Sequence, residues 1–487
     1  MTARAVMVLG TTSGAGKSWL ATALCRWYCR RGLKVAPFKA QNMSNNARVV
    51  PGLEGRMGEI GSAQYFQALA ARNSPDVHMN PVLLKPESDT SSQVVVLGQV
   101  RADLADVPWR ERSEQLWPHA RDALNGLMKR NDVVVIEGAG SPAEINLHAN
   151  DYVNMRMALE VNAACLLVTD IDRGGSFAHL YGTHQLLPDR ERALLRGFVL
   201  NRFRGDASLL SPGPERLQAL TGVPTVAVLP MWRDHGLPEE DGVFDDAPSG
   251  SRDGLRIAVV AYPRISNLDE FQPLRQVAGV CLEWVRDSGR LAAADWIILP
   301  GSKHTGADLA WLRERGLDVA ITAHVTAGRP LLGICGGLQM LGEVLRDPHG
   351  VDANATGLGA LPLVTLFERE KLLRSGEAVF AATSAPWSRL SGVRVGGYEI
   401  RHGQTTASDS SQVSVALRND RGDAIGWQRG PVLGVYLHGL FESPAVLRAL
   451  FDASPRTMDD VFDGLSDFVD RHFEAGVLAG LIGGVAT

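Results

Sequence analysis

Apolar residues in this chain gather into short unbroken runs separated by longer stretches of helical period. "RAVMVLG", "KVAPF", "DVVVIE", "ACLLVTD", "LLRGFVLN" and "VPTVAVLP" recur through the first half, and "LRIAVVAY", "ADWIILP", "RPLLGI" and "PVLGVYLH" through the second. Runs without alternation mark strands covered on both faces, as in parallel sheets. Between them, segments such as "GKSWLATALCRWYCRRG" repeat apolar positions every three to four residues and stop at glycine. Strands alternating with helices predict an α/β protein with two doubly wound, mostly parallel-sheet domains whose ligands sit at the strands' carboxyl ends. The acidic, Gly/Pro/Ser-rich "LPEEDGVFDDAPSGSRDG" separates the two series. The expected division is a first domain over 1–235, a linker over 236–253, a second domain over 254–445, and a helical extension of that second domain over 446–487.

The 487 residues exceed one ordinary core. With 45% hydrophobic and 21% charged residues the chain is globular, and a net charge of -5 without a Lys/Arg block argues against a nucleic-acid partner. Five cysteines without framework spacing fit a reducing cytoplasm, and Cys25 and Cys29 read as helix packing. No apolar run reaches membrane-spanning length and no signal peptide precedes the first strand, so no membrane partner is expected.

The first strand runs into "GTTSGAGKS" at the start of a helix. In strand–turn–helix context, the backbone N–H groups from Ser13 through Gly14, Ala15 and Gly16 to Ser18 can curl around phosphate oxygens, and Thr12 is counted in the same ATP site. Lys17 would reach the terminal phosphates of ATP, and the Ser18 hydroxyl would hold Mg2+. Lys39, just past the second strand, suits either a migrating phosphoryl group or the surface. Glu137, at the tip of "DVVVIE", is expected to be a metal or water-orienting carboxylate, or else a structural ion pair. Glu59, opening a helix, is a candidate second Mg2+ carboxylate or a helix cap. Asp170 and Asp172 end another buried strand.

In the second half, "RPLLGI-C-GGLQMLGEVL" reads as strand, turn and helix with Cys335 at the apex. Glycines 333, 336 and 337 suit a sharp elbow that presents the thiol to solvent at a helix N-terminus, where the dipole favours thiolate. The backbone at Gly336 and at Gly301 would form an oxyanion hole. Such a thiol needs a base. Among histidines 304, 324, 349, 402, 438 and 472, His438 lies at the end of an apolar strand with a glycine after it, and His402 is its rival. Gln339 is placed to help position a substrate amide.

The phosphate loop has five residues between Gly10 and Gly-Lys, with Thr11 where glycine is common. This form resembles the dethiobiotin synthetase type of ATP site, which transfers the γ-phosphoryl group to a carboxylate. Thr12 stands where partition-type ATPases carry an extra lysine. "GICGGLQML" with "GVYLHGLF" resembles a class I glutamine amidotransferase, which implies that the cysteine attacks the glutamine amide and releases ammonia. The glutamate usual in that family two residues after the histidine is absent, since position 440 is leucine, and Glu442 is too far along to replace it. This departure resembles the cobalamin-pathway branch, with a Cys–His dyad.

Nearly the whole chain is similar to the cobyric acid synthase family, through "FKAQNMSNN", "GEIGSAQ", "MNPVLLKP", "EGAGSPAEINL", "DIDRGGSFA", "NRFRGD", "PGSKHT" and "GYEIRHG" as well as the two motifs above. The resemblance implies amidation of the b, d, e and g carboxylates of adenosylcobyrinic acid a,c-diamide with ATP, Mg2+ and glutamine as nitrogen donor; the corrinoid cobalt belongs to the substrate. The related a,c-diamide synthase carries a glycine-proline-aspartate-tyrosine segment where "KAQNMSNN" stands here.

Overall fold

The computed structural model describes residues 3–87, 91–238, 254–454 and 456–483. Most of the expected linker lies outside the described residues. The first sheet contains six parallel strands: β1 (Arg4–Gly10), β2 (Val35–Phe38), β3 (Val133–Glu137), β4 (Ala164–Asp170), β5 (Leu195–Phe203) and β6 (Thr225–Pro230), in the spatial order β6-β5-β4-β1-β3-β2. Side chains along β1 alternate between two separate cores: Met7 and Leu9 pack on one face, Val6 and Val8 on the other.

The second sheet is mixed. Its parallel half comprises β7 (Leu255–Val260), β8 (Val280–Val285), β9 (Trp296–Leu299), β10 (Leu331–Ile334) and β13 (Val432–Val435), in the order β8-β7-β9-β10-β13. The remainder is largely antiparallel and is dominated by one long hairpin, β11 (Leu363–Phe380) with β12 (Arg394–Ala407). That hairpin leans on the strands Ala47–Pro51 and Met57–Gly61 of the first domain. Its partly polar faces explain why a search for unbroken apolar runs passes over it.

The expected domain boundary near the carboxyl end needs correction. The helix Pro444–Phe451 closes the second core through Val446 and Leu447. The following helix, Met458–His472, returns to the first domain: Val461, Phe462, Leu465, Phe468 and Val469 share a core with Leu20, Leu24 and Tyr28. Trp27 Nε1 donates to Asp470 at 2.7 Å, Arg26 Nε to Asp463 at 2.7 Å, and the Tyr28 hydroxyl to the Leu478 carbonyl at 2.8 Å. The first domain therefore recruits the chain's last helices to cover a sheet face. The apolar stripe of Met458–His472 was visible in sequence, but its partner was not.

Candidate active site

At the end of β1 the chain turns through Gly14 (φ 71°) and Gly16 (φ 100°) into the helix Lys17–Arg30. Both values belong to the left-handed region that glycine enters without a steric penalty. Gly16 meets a second constraint, because a Cβ there would collide with the Asn201 side chain, whose Nδ2 donates to the Ala15 carbonyl at 2.9 Å. Lys17 is buried and its Nζ donates to the carbonyls of Thr12 (3.0 Å) and Gly140 (3.1 Å), which closes the loop over its own lysine. Thr11 Oγ1 donates to Thr169 Oγ1 at 2.9 Å and ties the loop to β4.

Glu137 is fully buried at the end of β3 and collects four donors. Ser18 Oγ (2.8 Å) and Lys39 Nζ (2.7 Å) reach Oε1, while Gln67 Nε2 (2.6 Å) and Gln64 Nε2 (3.4 Å) reach Oε2. Burial works against its charge, but Lys39 and these hydrogen bonds prevail and hold the carboxyl below the usual carboxylate range. Lys39 is thereby buried beside the phosphate loop rather than on the surface. Two hard oxygens, the Ser18 hydroxyl and the Glu137 carboxylate, converge at the helix N-terminus, a donor pair that suits a partly hydrated Mg2+. Asp170 is engaged by Arg202 at 2.9 Å and Arg173 at 3.3 Å. Asp172 is bonded to Arg204.

Glu59 departs from the expected metal role. Its two oxygens are taken by Lys85 (2.9 Å) and Lys371 (2.6 Å), the second contributed by the long hairpin of the other domain. Burial opposes its charge, yet the two lysines depress its pKa far below normal. Lys371 is also buried, which lowers its pKa to about 7 despite Glu59. A buried carboxylate whose two oxygens are each engaged by a lysine is an interdomain ion pair, its charge already compensated without a cation. Among the described residues no group of three or more His, Cys, Asp or Glu side chains is arranged to hold a metal.

In the second domain, β10 ends at Cys335, whose backbone is strained (φ 50°, ψ −104°) before the helix Gly336–Leu341. The strain falls on the cysteine itself, as in a nucleophile elbow. The glycines instead permit close approach: a Cβ on Gly336 would lie 2.7 Å from Ser302 N, and one on Gly333 would lie 2.8 Å from the Gly337 carbonyl. Contrary to the expected solvent-facing apex, Cys335 is only 6% exposed. Its Sγ sits 3.5 Å from the Ile400 carbonyl of β12, and the Ile400 side chain packs on Ala47, Leu83 and Val95 of the first domain. Strand β12 of the same domain covers the thiol, and that strand in turn packs on the first domain.

His438 follows β13 and is buried. Burial disfavours its imidazolium, but Glu270 and Cys335 outweigh that effect and raise its pKa to about 10. Glu270 supplies what the dyad reading lacked: its Oε1 lies 2.9 Å from His438 Nδ1, and its Oε2 accepts from the Gly439 amide at 2.9 Å. The constellation is therefore Cys–His–Glu, with the carboxylate drawn from another segment. The Tyr398 ring stacks on the His438 ring (centroids 5.3 Å apart, 20° between planes). Gly301 closes the other side, where a Cβ would stand 2.9 Å from His438 Cε1. Its rival His402 donates from Nδ1 to the Glu368 carbonyl (3.1 Å), and burial followed by the nearby Lys371 lowers its pKa to about 4. Gln339 is buried, held by Thr305 Oγ1 (2.9 Å) and directed at the Tyr436 hydroxyl (3.5 Å). It braces the elbow helix, so any influence on a substrate amide passes through that brace.

Sequence reasoning missed Glu270, Gln67 and Asn201. The first stands in "RISNLDEF", after a strand and beside a second acid, a pattern common on protein surfaces.

Residues 6–241 match the CobQ/CobB/MinD/ParA nucleotide binding domain family, and residues 256–446 match the CobB/CobQ-like glutamine amidotransferase domain family. The chain is 72% identical to a cobyric acid synthase of Methylibium petroleiphilum over 99% of its own length and 97% of the relative's. It is 70% identical to that of Leptothrix cholodnii over 99% and 97%. It is also 66% identical to that of Variovorax paradoxus over 99% and 100%.

Proposed function

This chain belongs to the cobyric acid synthase family, glutamine-dependent amide ligases with an ATP-binding half, and from that premise we propose how its own residues divide the reaction. The substrate carboxylates are the b, d, e and g side chains of adenosylcobyrinic acid a,c-diamide. A carboxylate does not condense with ammonia until its oxygen becomes a leaving group, so the first half phosphorylates it. Backbone amides from Thr12 to Gly16 and the Lys17 ammonium bind the ATP phosphates. Ser18 and Glu137 would hold Mg2+, which would supply charge neutralisation at the ATP phosphates. Lys39 lies where it can stabilise the phosphoryl group in transit.

The second half supplies ammonia. Glu270 holds His438 Nδ1, leaving Nε2 for the Cys335 thiol. The thiol proton resides on His438 as imidazolium when the Cys335 sulfur attacks the glutamine amide; His438 then passes it to the departing ammonia, leaving a glutamyl thioester for water. Backbone N–H groups around Gly336 and Gly301 receive the oxyanion. Strand β12, which covers Cys335, packs on the first domain, so the thiol lies close to the interface with the half that activates the acid. Among the described residues no helix is long and apolar enough to cross a membrane.

The kinship over the full chain carries this reading. Its test is mass spectrometry of the product from purified protein, MgATP, glutamine and the a,c-diamide: stepwise gains of up to four amide groups are expected. Cys335→Ala should lose glutamine use and keep amidation with ammonium chloride. A Cys335→Ala enzyme that lost both would overturn the division of labour.

A further inference from the structure

Arg48 belongs to the first domain, in the strand Ala47–Pro51, yet its charge is satisfied by the second. It is 1% exposed, and its guanidinium binds Asp269 and Glu442, the latter through NH1 at 3.0 Å. Its neighbours share the task. Asn46 Oδ1 accepts from the Leu268 amide at 3.1 Å, and the Ala47 carbonyl accepts from Asn267 Nδ2 at 2.7 Å. Residues 46–48 thus grip the consecutive residues 267–269, and the next residue is Glu270, the partner of His438. Asn267 Nδ2 also donates to the Tyr398 hydroxyl at 2.7 Å, and Tyr398 is the ring stacked on His438.

We propose that Arg48 is a positioning residue of the glutaminase supplied by the ATP-binding half: it seats the 267–270 turn so that Glu270 meets His438. The inference rests on the glutamine-hydrolysing reading of Cys335 and His438. A buried arginine between two carboxylates is a poor source of stability, because desolvation cancels most of the attraction. It is an effective device for fixing a register, since the planar fork satisfies only one arrangement of its partners. The same segment also touches the helix Ser62–Ala70. The Asn46 carbonyl accepts from the Ser62 amide at 3.0 Å, at the start of the helix whose Gln64 and Gln67 bind Glu137. The Arg48 guanidinium lies 4.9 Å from the Phe66 ring centroid on that helix. One short strand therefore touches the supports of both reacting centres.

The test compares Arg48→Met, Arg48→Lys and Asn267→Gly. Asn267 has φ 56°, so glycine keeps its backbone while deleting the amide that bridges Ala47 and Tyr398. Glutamate release, glutamine-driven amidation and ammonium-driven amidation are measured for each. Displacing the general base's carboxylate should cut glutamine-driven turnover by about 10- to 100-fold in Arg48→Met, mainly in kcat, with ammonium-driven turnover within about twofold. Arg48→Lys should recover part of the loss. Asn267→Gly should reproduce the pattern, and it decides the matter if Arg48→Met does not fold. Equal loss in both nitrogen arms, or no loss in the glutamine arm, overturns the proposal. If wild-type protein amidates the a,c-diamide with neither glutamine nor ammonium, the corrinoid reading fails instead; glutamate release at unchanged melting temperature then still decides the role of Arg48.

Discussion

His438 Nδ1 lies 2.9 Å from Oε1 of Glu270, a residue 168 positions earlier in the chain. The second carboxylate oxygen is held by the Gly439 amide, so the acid grips the histidine and the loop that carries it. A carboxylate in this place fixes the tautomer and stabilises the imidazolium formed when the thiol loses its proton. It occupies the role that position 440, a leucine, cannot fill.

Replacing Glu270 with glutamine keeps the shape but presents an amide that can favour the wrong tautomer. Glutamate release should fall by about 10²- to 10⁴-fold, while ammonium-driven amidation persists. Steady-state assays with each nitrogen source read the two arms. An unchanged glutaminase would remove Glu270 from the mechanism.

The same pair predicts a pH dependence of stability. The His438 pKa is raised from 6.5 to about 10, so between those values the folded protein holds a proton that the unfolded chain releases. The stabilisation is complete below about pH 6.5 and is lost as pH rises through about 10. Denaturant titrations should show the gap between wild type and Glu270→Gln narrowing across that window. A constant gap would mean that His438 is not charged in the folded state.

Glu59→Gln leaves Lys85 and Lys371 buried without a counter-charge, and breaking such a site costs about 3–5 kcal/mol. Thermal melting should report the loss, and the added change Lys371→Met should restore part of it. The Mg2+ concentration for half-maximal activity should stay where it is. A large rise in that concentration would return Glu59 to the metal site.

Glu137→Gln removes the charge shared by Ser18 and Lys39. The apparent Mg2+ affinity in ammonium-driven amidation should weaken by about 10- to 100-fold. Glutamate release without ATP should be little changed, because Glu137 belongs to the other domain's chemistry. Equal Mg2+ titrations in mutant and wild type would count against a metal role.

Leu465→Ala opens a cavity between the helix Met458–His472 and the first sheet, and should cost about 2–5 kcal/mol. Because this core belongs to the ATP-binding half, calorimetry should show that half melting earlier while the thiol-bearing domain keeps its transition. The reverse order would restore the helix to the second domain.

Contiguous features could be read from the residues alone. The unbroken strands, the glycine loop ending in Lys17 and Ser18, the cysteine among glycines and the histidine after β13 are local arrangements, in which neighbours in sequence supply the backbone geometry and the chemistry together. Glu137 could be anticipated because a strand's end dictates where its last side chain stands. What depended on tertiary structure involves partners far apart in the chain. Glu270 reaches His438, Lys371 takes Glu59 away from a metal, Arg48 joins the domains, and Met458–His472 returns to the first core. A carboxylate or an apolar stripe states in sequence that it needs a partner. Which partner it finds is settled only when the packing of sheets and helices decides what lies within a few ångströms.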